Sequence, residues 1–412
     1  MIQYNRFILD NGLTVLVHED NATPMAVVNV LYDVGARDEQ FNKTGFAHLF
    51  EHLMFGGSVN IPDYDEPLQR AGGDNNAFTT HDLTNYYCQL PAQNIETAFW
   101  LESDRMLSLA FSEKSLAVQR KVVCEEFKEH YLNKPYGDVW HKMRELAYQV
   151  HPYQWMTIGK ELSHVENAHI NDVKDFFYKH YRPINAILVV AGNIKVEDIK
   201  VLAEKWFGPI EMGEKYIRCL PKEPMQHEAR KLSIEAKVPL DAFIKTWHMD
   251  ARLDKGYYAA DLLTEILGSG GSSRLYQSLV KEKKLFSSLD CHHFGSMDAG
   301  LVTIEGKLVK GVLMHQVEEA INEELALIQQ NTITESELTK VKNKTESVIA
   351  FEDMSIMSRA TSLAMYELMG DASLMNTELD KYKEVTIDDL NIYASKIFRE
   401  TNSNTIYYHA KQ

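Results

Sequence analysis

Hydrophobic positions in the first half of the chain follow two periods, one near two residues and one near 3.6. The first apolar run is interrupted by Asp10-Asn11-Gly12, which is typical of a hairpin turn. We therefore expect strands and helices to alternate. The predicted strands are two short ones in residues 4–18, then Met25–Val34, one within Ala71–Pro91, and Asn185–Gly192, and the predicted helices are Ala47–Gly57, Asn94–Phe111, Val118–Tyr131 and Asn171–Tyr181.

The same order of elements begins again after Gly208–Lys231, a segment rich in Pro, Glu and Lys that is the best candidate linker. Two halves of similar length with the same order indicate an internal duplication. We predict domains at 1–212 and 232–412, joined by a linker at 213–231. The predicted elements of the second half are strands in Leu232–Ala251, a helix at Gly256–Gly268, a strand at Leu301–Lys307, helices at Met314–Gln330 and Thr334–Phe351, and a strand at Asn404–Ala410.

Composition and charge exclude some classes of protein. The length of 412 residues is enough for two domains with ample cores. The net charge of −16 argues against a nucleic-acid binder, and no apolar run is long enough to span a bilayer. The four cysteines form no C-x-x-C pair, so they indicate neither a disulfide scaffold nor a thiolate zinc site. Residues 1–4 begin neither a signal nor a transit peptide, so we expect a cytoplasmic protein, or a periplasmic one if a leader has been removed.

The most informative stretch is His48-Leu49-Phe50-Glu51-His52. On a helix, His48 and His52 lie one turn apart on one face, where two imidazoles can bind one zinc ion. Glu51 lies on the same side and can reach a water on that ion. The pattern H-x-x-E-H is the reverse of H-E-x-x-H and is typical of inverzincins. The alternative is an ordinary amphipathic helix, for which Thr44 is a candidate cap.

A zinc site needs a third protein ligand, and the next predicted helix offers Glu125, Glu126 and Glu129. The two helices together resemble the pitrilysin family of zinc peptidases, which includes insulin-degrading enzyme and the mitochondrial processing peptidase. That family carries H-x-x-E-H and, some seventy residues later, E-R-x-V-x-x-x-E, whose last Glu binds zinc. Residues 119–126, QRKVVCEE, fit this frame. The resemblance therefore implies one zinc ion per chain, held by His48, His52 and Glu126, with Glu125 and then Glu129 as the other choices.

The resemblance implies a fold and a peptide-binding strand as well. We expect an α+β protein with two homologous domains in tandem, each a mixed, mainly antiparallel sheet flanked by helices, forming half of a clamshell chamber. In the family, an N-A-x-T segment forms an exposed edge strand near the zinc and pairs with the substrate backbone. The matching residues are Asn76, Ala77, Phe78 and Thr79. A plain surface hairpin is the alternative.

Two departures from the family pattern are visible. The first Glu of the second motif is Gln119 here, and because that position supports the zinc ligands in relatives, its loss puts metal affinity in doubt. Relatives also carry an Arg and a Tyr after a Gly-rich turn, which contact substrate and its developing oxyanion. The aligned residues here are Val280 and Ser287.

These observations predict a zinc-dependent endopeptidase that cleaves peptides or short unfolded polypeptides inside a dimeric chamber, with Glu51 as general base. Family members of this length work as dimers, and some pair a zinc-bearing subunit with a zinc-less one. An intact zinc set without the Arg/Tyr pair suggests the zinc-bearing half of such a heterodimer. The alternatives are a non-catalytic subunit, like the core proteins of respiratory complexes, and a hydrolase of non-peptide substrates.

Overall fold

The computed structural model describes residues 1–330 and 332–411. Its strands are β1 Asn5–Ile8, β2 Thr14–Glu19, β3 Met25–Tyr32, β4 Asp74–Thr79, β5 Thr84–Pro91, β6 Ala186–Gly192, β7 Arg230–Ala236, β8 Ala242–His248, β9 Phe286–Phe294, β10 Leu301–Leu308 and β11 Ser403–Ala410. Its helices are α1 Phe46–Leu53, α2 Asp65–Arg70, α3 Ile95–Ser108, α4 Glu113–Phe127, α5 Val139–Ala147, α6 Leu162–Glu166, α7 Ile170–His180, α8 Val196–Trp206, α9 Lys255–Gly268, α10 Met314–Gln329, α11 Glu335–Glu352, α12 Ile356–Leu368, α13 Glu378–Glu384 and α14 Ile387–Ile397.

The chain forms two compact units that are interleaved along the sequence. Unit 1 comprises Met1–Glu129, Trp155–Leu220 and Ala350–Thr377, and unit 2 comprises His130–Gln154, Pro221–Ile349 and Glu378–Gln412. The continuous domains expected from the sequence therefore differ from the compact units by two segments, 130–154 and 350–377. Each segment carries an amphipathic helix, α5 or α12, that buries its apolar face against the sheet of the unit it joins. The limits of the homologous domains at 212 and 231 stay a prediction.

Unit 1 is built on a six-stranded sheet in the order β1-β2-β6-β3-β5-β4. β2 and β6 run parallel, and the other neighbours are antiparallel. The central strands β3 and β6 are almost entirely buried, as expected for continuous apolar runs covered on both faces. β4 lies at the edge, so one side of its backbone has no neighbouring strand in the sheet.

Unit 2 repeats this arrangement. Its five-stranded sheet has the order β7-β11-β8-β10-β9, with β7 and β11 parallel and the rest antiparallel. Subtracting five from each strand number gives β2-β6-β3-β5-β4, which is the order of these five strands in unit 1. The predicted α+β class and internal duplication are confirmed, and α9 follows β8 as α1 follows β3.

Most predicted elements are present, with shifted ends. The helix predicted at Ala47–Gly57 is α1 and ends at Leu53, and the helix predicted at Val118–Tyr131 is α4, which ends at Phe127 before a π-helical turn. All four cysteines are free. No helix among the described residues is long and apolar enough to cross a membrane. The cellular compartment stays a prediction.

Candidate metal centre

The short helix α1 places both histidines of the motif on one face. His48 and His52 are one turn apart, and their rings are nearly perpendicular with centroids 4.8 Å apart. The opposite face of the helix carries Leu49 and Phe50, which are buried in the core of unit 1. Burial of that face fixes the rotation of α1, and the imidazoles therefore point away from the core.

Glu126, near the end of α4, faces the two histidines. Its carboxylate oxygens lie 3.9 Å from Nε2 of His48 and 3.4 Å from Nε2 of His52. One ligand atom from each of these three residues lies within 4.8 Å of the other two, and no other set of three His, Cys, Asp or Glu side chains in the described ranges is as close. The structure thus brings together residues that are 74 positions apart in sequence.

The spacing of the three donors fits a zinc ion. Two donors that each bind zinc at about 2.0–2.1 Å with tetrahedral angles lie about 3.4 Å from one another. Two imidazole nitrogens and one carboxylate are also a known donor set for catalytic zinc, which leaves a coordination position open. The residues present therefore suit zinc in both spacing and chemistry.

The protonation of His48 agrees with a ligand role. Burial lowers the pKa of His48 to about 4, while Glu126 opposes that shift. A histidine with this pKa is neutral at pH 7, and the neutral imidazole is the form that binds a metal. His48 needs no deprotonation before it can act as a ligand at this pH.

Glu51 sits beside the three donors and is held by the edge strand. Thr79, the last residue of β4, donates a hydrogen bond of 2.6 Å from its hydroxyl to Oε2 of Glu51. Burial raises the pKa of Glu51, and the Thr79 hydrogen bond opposes this shift. Thr79 therefore orients the carboxylate of Glu51.

The other acidic candidates on α4 do not join the cluster. Glu125 is 62% exposed and pairs with Lys128 at 3.0 Å, and Glu129 is exposed in the turn after the helix. Gln119 lies two turns before Glu126 and is half-buried. Its supporting role for the zinc ligands stays a prediction.

The segment predicted to bind peptide backbone lies on the edge strand β4. Asn76, Ala77, Phe78 and Thr79 pair on one side with β5, and their other side faces away from the sheet. Asn76 is exposed, and its side-chain oxygen accepts a hydrogen bond from the N–H of Ala77. β4 has the geometry that strand addition requires.

The two positions aligned with the family's Arg and Tyr have no equivalent chemistry. Val280 packs against the core of unit 2, and Ser287 is exposed and donates its hydroxyl to the carbonyl of Lys307 at 3.0 Å. Neither side chain carries a charge that would stabilise an oxyanion.

One contributor that the sequence did not indicate is Glu39. Its carboxylate accepts hydrogen bonds from the N–H groups of Gly45 and Ala47, at the start of α1. Thr44, the candidate cap, instead bonds His164 and the N–H of Lys160. Glu39 lies six residues before Gly45, outside the spacing of known capping motifs, so no sequence signal identifies it.

Unit 2 contains a cavity of about 560 Å³ that the sequence also did not reveal. Glu305 and Asp290, which face each other across β10 and β9, lie on its lining beside Tyr136, Trp140 and Lys307. The lining residues come from four segments of the chain, 130–140, 242–244, 288–290 and 305–307. Their convergence depends on the sheet register and on the position of α5, neither of which is visible in the sequence.

Comparison with known proteins identifies the family of the chain. Residues 14–160 match the family profile "Insulinase (Peptidase family M16)", and residues 167–345 match "Peptidase M16 inactive domain". The zinc protease PqqE of Helicobacter pylori is 30% identical over 407 residues, which is 97% of this chain and 91% of the relative. The mitochondrial-processing peptidase subunit beta of Saccharomyces cerevisiae is 27% identical over 209 residues, or 50% of this chain and 45% of that protein.

A solved structure is similar over the whole chain. The crystal structure of a protease from Helicobacter pylori matches with a TM-score of 0.94 at 28% identity and covers 99% of this chain and 100% of that one. The resemblance inferred from the two motifs is therefore confirmed. The chain belongs to peptidase family M16, whose relatives include proteins named zinc proteases.

Proposed function

We propose that this chain is a zinc-dependent endopeptidase that cleaves peptides or short unfolded polypeptides. His48, His52 and Glu126 would hold one zinc ion, and Glu51 would act as general base. The observation that carries this proposal is the convergence of three metal-ligating atoms within 4.8 Å. Glu51, on the same helix, stands beside them with one oxygen already fixed by Thr79.

The bound ion would supply Lewis-acid chemistry, which polarises a carbonyl and makes water a stronger nucleophile at neutral pH. Glu51 accepts the proton of the attacking water and returns it to the leaving amine. Because burial raises its pKa, Glu51 is a stronger base than an exposed carboxylate, while the Thr79 hydrogen bond limits this shift. Thr79 also keeps the carboxylate from rotating between the two proton transfers.

Substrate would bind by adding a strand to β4. Backbone groups on the unpaired side of Asn76–Thr79 would pair with an extended peptide, which gives affinity without reading its sequence. The same strand ends at Thr79, next to the general base. Strand addition therefore places the peptide backbone alongside Glu51.

A second subunit completes this proposal. Val280 and Ser287 cannot replace the Arg and Tyr that relatives bring to substrate, so a zinc-less partner would supply them in a heterodimer. One relative in the family is itself named as a subunit, the beta subunit of the mitochondrial-processing peptidase. If the purified chain is as active alone as in any mixture with a candidate partner, this part of the proposal is wrong.

The test of the function is cleavage of a quenched fluorescent peptide library by the purified chain, with zinc content measured on the same sample. The matched variants are Glu51→Gln and Glu125→Gln, which remove a carboxylate from the site and from the exposed face of α4 respectively. We expect Glu51→Gln to keep zinc and to lose turnover by about 10²–10⁴-fold, the usual contribution of general acid–base catalysis. Glu125→Gln should behave as wild type.

The competing function is that of a non-catalytic subunit. The match of residues 167–345 to a profile described as an inactive domain, together with the absent Arg/Tyr pair, favours it as the second candidate. Bound zinc without turnover, both alone and with every partner tried, would support it. Turnover that chelator and Glu51→Gln both abolish would exclude it.

A further inference from the structure

The N-terminus of α1 cannot be capped by its own preceding residue. Gly45 occupies the N-cap position with φ of +86°, and a Cβ there would lie 2.6 Å from the carbonyl oxygen of Ile158. Only glycine fits such a position, and glycine has no side chain to bond the free N–H groups of the first turn. A helix of eight residues that carries three reactive side chains needs another source of order at this end.

Glu39 supplies those bonds from outside the helix. Its Oε2 accepts the N–H of Gly45 at 2.9 Å and its Oε1 accepts the N–H of Ala47 at 2.8 Å, one residue before His48. The side chain is buried, so water does not compete for these bonds. Burial raises the pKa of Glu39 to about 8, and its hydrogen bonds with the N–H groups of Ala47 and Gly45 oppose that shift.

The loop that carries Glu39 is itself fixed from two sides. Trp155 donates its indole N–H to the carbonyl of Ala36 at 2.9 Å. Arg218 donates a hydrogen bond from Nε to the carboxylate of Asp38 at 2.7 Å and another from Nη2 to the carboxylate of Asp33 at 2.8 Å. The Asp38 side chain is fully buried, so its ion pair with Arg218 offsets the cost of removing this carboxylate from water.

We propose that Glu39 is a positioning residue for the helix that bears His48, Glu51 and His52, and that Arg218 holds Glu39 in place. The inference rests on the proposed function for its catalytic meaning, because α1 matters only if its side chains bind metal. The side chain at position 39 must offer two acceptor oxygens, one for the N–H of Gly45 and one for the N–H of Ala47. A glutamine in place of Glu39 would keep the shape of the side chain but offer only one acceptor, and its NH₂ group would face an N–H donor.

The test compares the full-length wild type with Glu39→Gln, Arg218→Lys and Asp20→Asn. Asp20→Asn is the matched control, since it weakens a partly buried pair with Arg359 in the same unit without touching α1. Hydrogen–deuterium exchange of the metal-free protein reports the order of Phe46–Leu53. Competition with a chromophoric chelator gives zinc affinity, and the absorption spectrum of the cobalt-substituted protein reports ligand geometry.

We expect Glu39→Gln to raise exchange in α1 at least tenfold, to weaken zinc binding by about 10–100-fold and to lower kcat with little change in KM. Arg218→Lys should change exchange in α1, zinc affinity and kcat in the same direction but by less. Lys keeps the positive charge, but it lacks the planar guanidinium group that bonds two carboxylates at once. Asp20→Asn should lower the unfolding midpoint and leave α1 exchange, zinc affinity and the cobalt spectrum as in wild type.

Wild-type exchange and zinc affinity in Glu39→Gln would overturn the proposal, and so would equal effects from Asp20→Asn. If Glu39→Gln does not fold, Arg218→Lys decides by the same criteria. A wild type that binds no zinc or cleaves no peptide would refute the proposed function. The exchange of the metal-free protein would still show whether Glu39 orders α1.

Discussion

Replacing Glu126 with Gln should separate the metal centre from an accidental cluster of polar groups. Gln keeps the size of the side chain but is a poor zinc ligand, so the ion would lose one of three protein donors. Structural zinc sites with four ligands contribute about 10–16 kcal/mol, which is about 2.5–4 kcal/mol for each ligand. At about 1.4 kcal/mol per factor of ten, zinc affinity should fall about 60- to 700-fold.

The assay is zinc affinity by competition with a chromophoric chelator, with Glu125→Gln as the control. Glu125 is its neighbour on α4, but it is 62% exposed and pairs with Lys128 at 3.0 Å. An exposed pair of this kind contributes about 0–1 kcal/mol, so the control should fold normally and bind zinc as wild type does. Equal affinities for Glu126→Gln and wild type, or a larger loss in Glu125→Gln, would refute the ligand assignment.

Three further substitutions have defined outcomes. Gln119→Glu restores the carboxylate found in relatives, and chelator competition should show zinc binding tightened by about tenfold. Glu337→Gln removes an acceptor of Arg274, whose hydrogen bonds lower the pKa of Glu337 to about 2. Because the folded-state pKa is depressed, thermal unfolding should show the wild-type advantage in full above about pH 4.5 and lose it as pH falls towards 2. Leu263→Ala leaves a cavity at a fully buried position in the core of unit 2. Urea titration should show that the free energy of unfolding falls by about 2–5 kcal/mol. An unchanged free energy of unfolding would mean that the core collapses around the cavity.

The histidine-bearing face of α1 could be predicted because its information is local. Two histidines one turn apart share a face on any helix, and the apolar residues between them fix which face is buried. The third donor is different. Sequence alone left Glu125, Glu126 and Glu129 open, and the choice of Glu126 came from the family frame. The structure supplies the physical reason, since successive residues of a helix point about 100° apart and only Glu126 faces α1.

The packing partners of helices were harder to predict than the helices themselves. An amphipathic helix such as α12 carries an apolar stripe that could pack against either sheet, so the sequence of the helix does not determine which sheet it contacts. In the structure Ile356, Ala360 and Leu363 pack against the sheet of unit 1, more than 160 residues after its last strand. The duplicated order of strands was predictable for the opposite reason, because each strand carries its own signal and the repeat adds the signals together.

Glu39 and Thr79 extend this distinction to the chemistry of the site. The proposed donors and base are recognisable by residue type at fixed spacing, whereas the groups proposed to orient them come from a distant loop and from an edge strand. Carboxyl groups and hydroxyls occur throughout the chain, and no local sequence motif distinguishes these two from the others. The orientation of a catalytic side chain nevertheless matters as much as its residue type, since displacing a ligand or base by about 1 Å can lower the reaction rate by about two orders of magnitude. A relative that keeps His48, Glu51, His52 and Glu126 but lacks the acceptor at position 39 would therefore be expected to bind zinc weakly despite an intact motif.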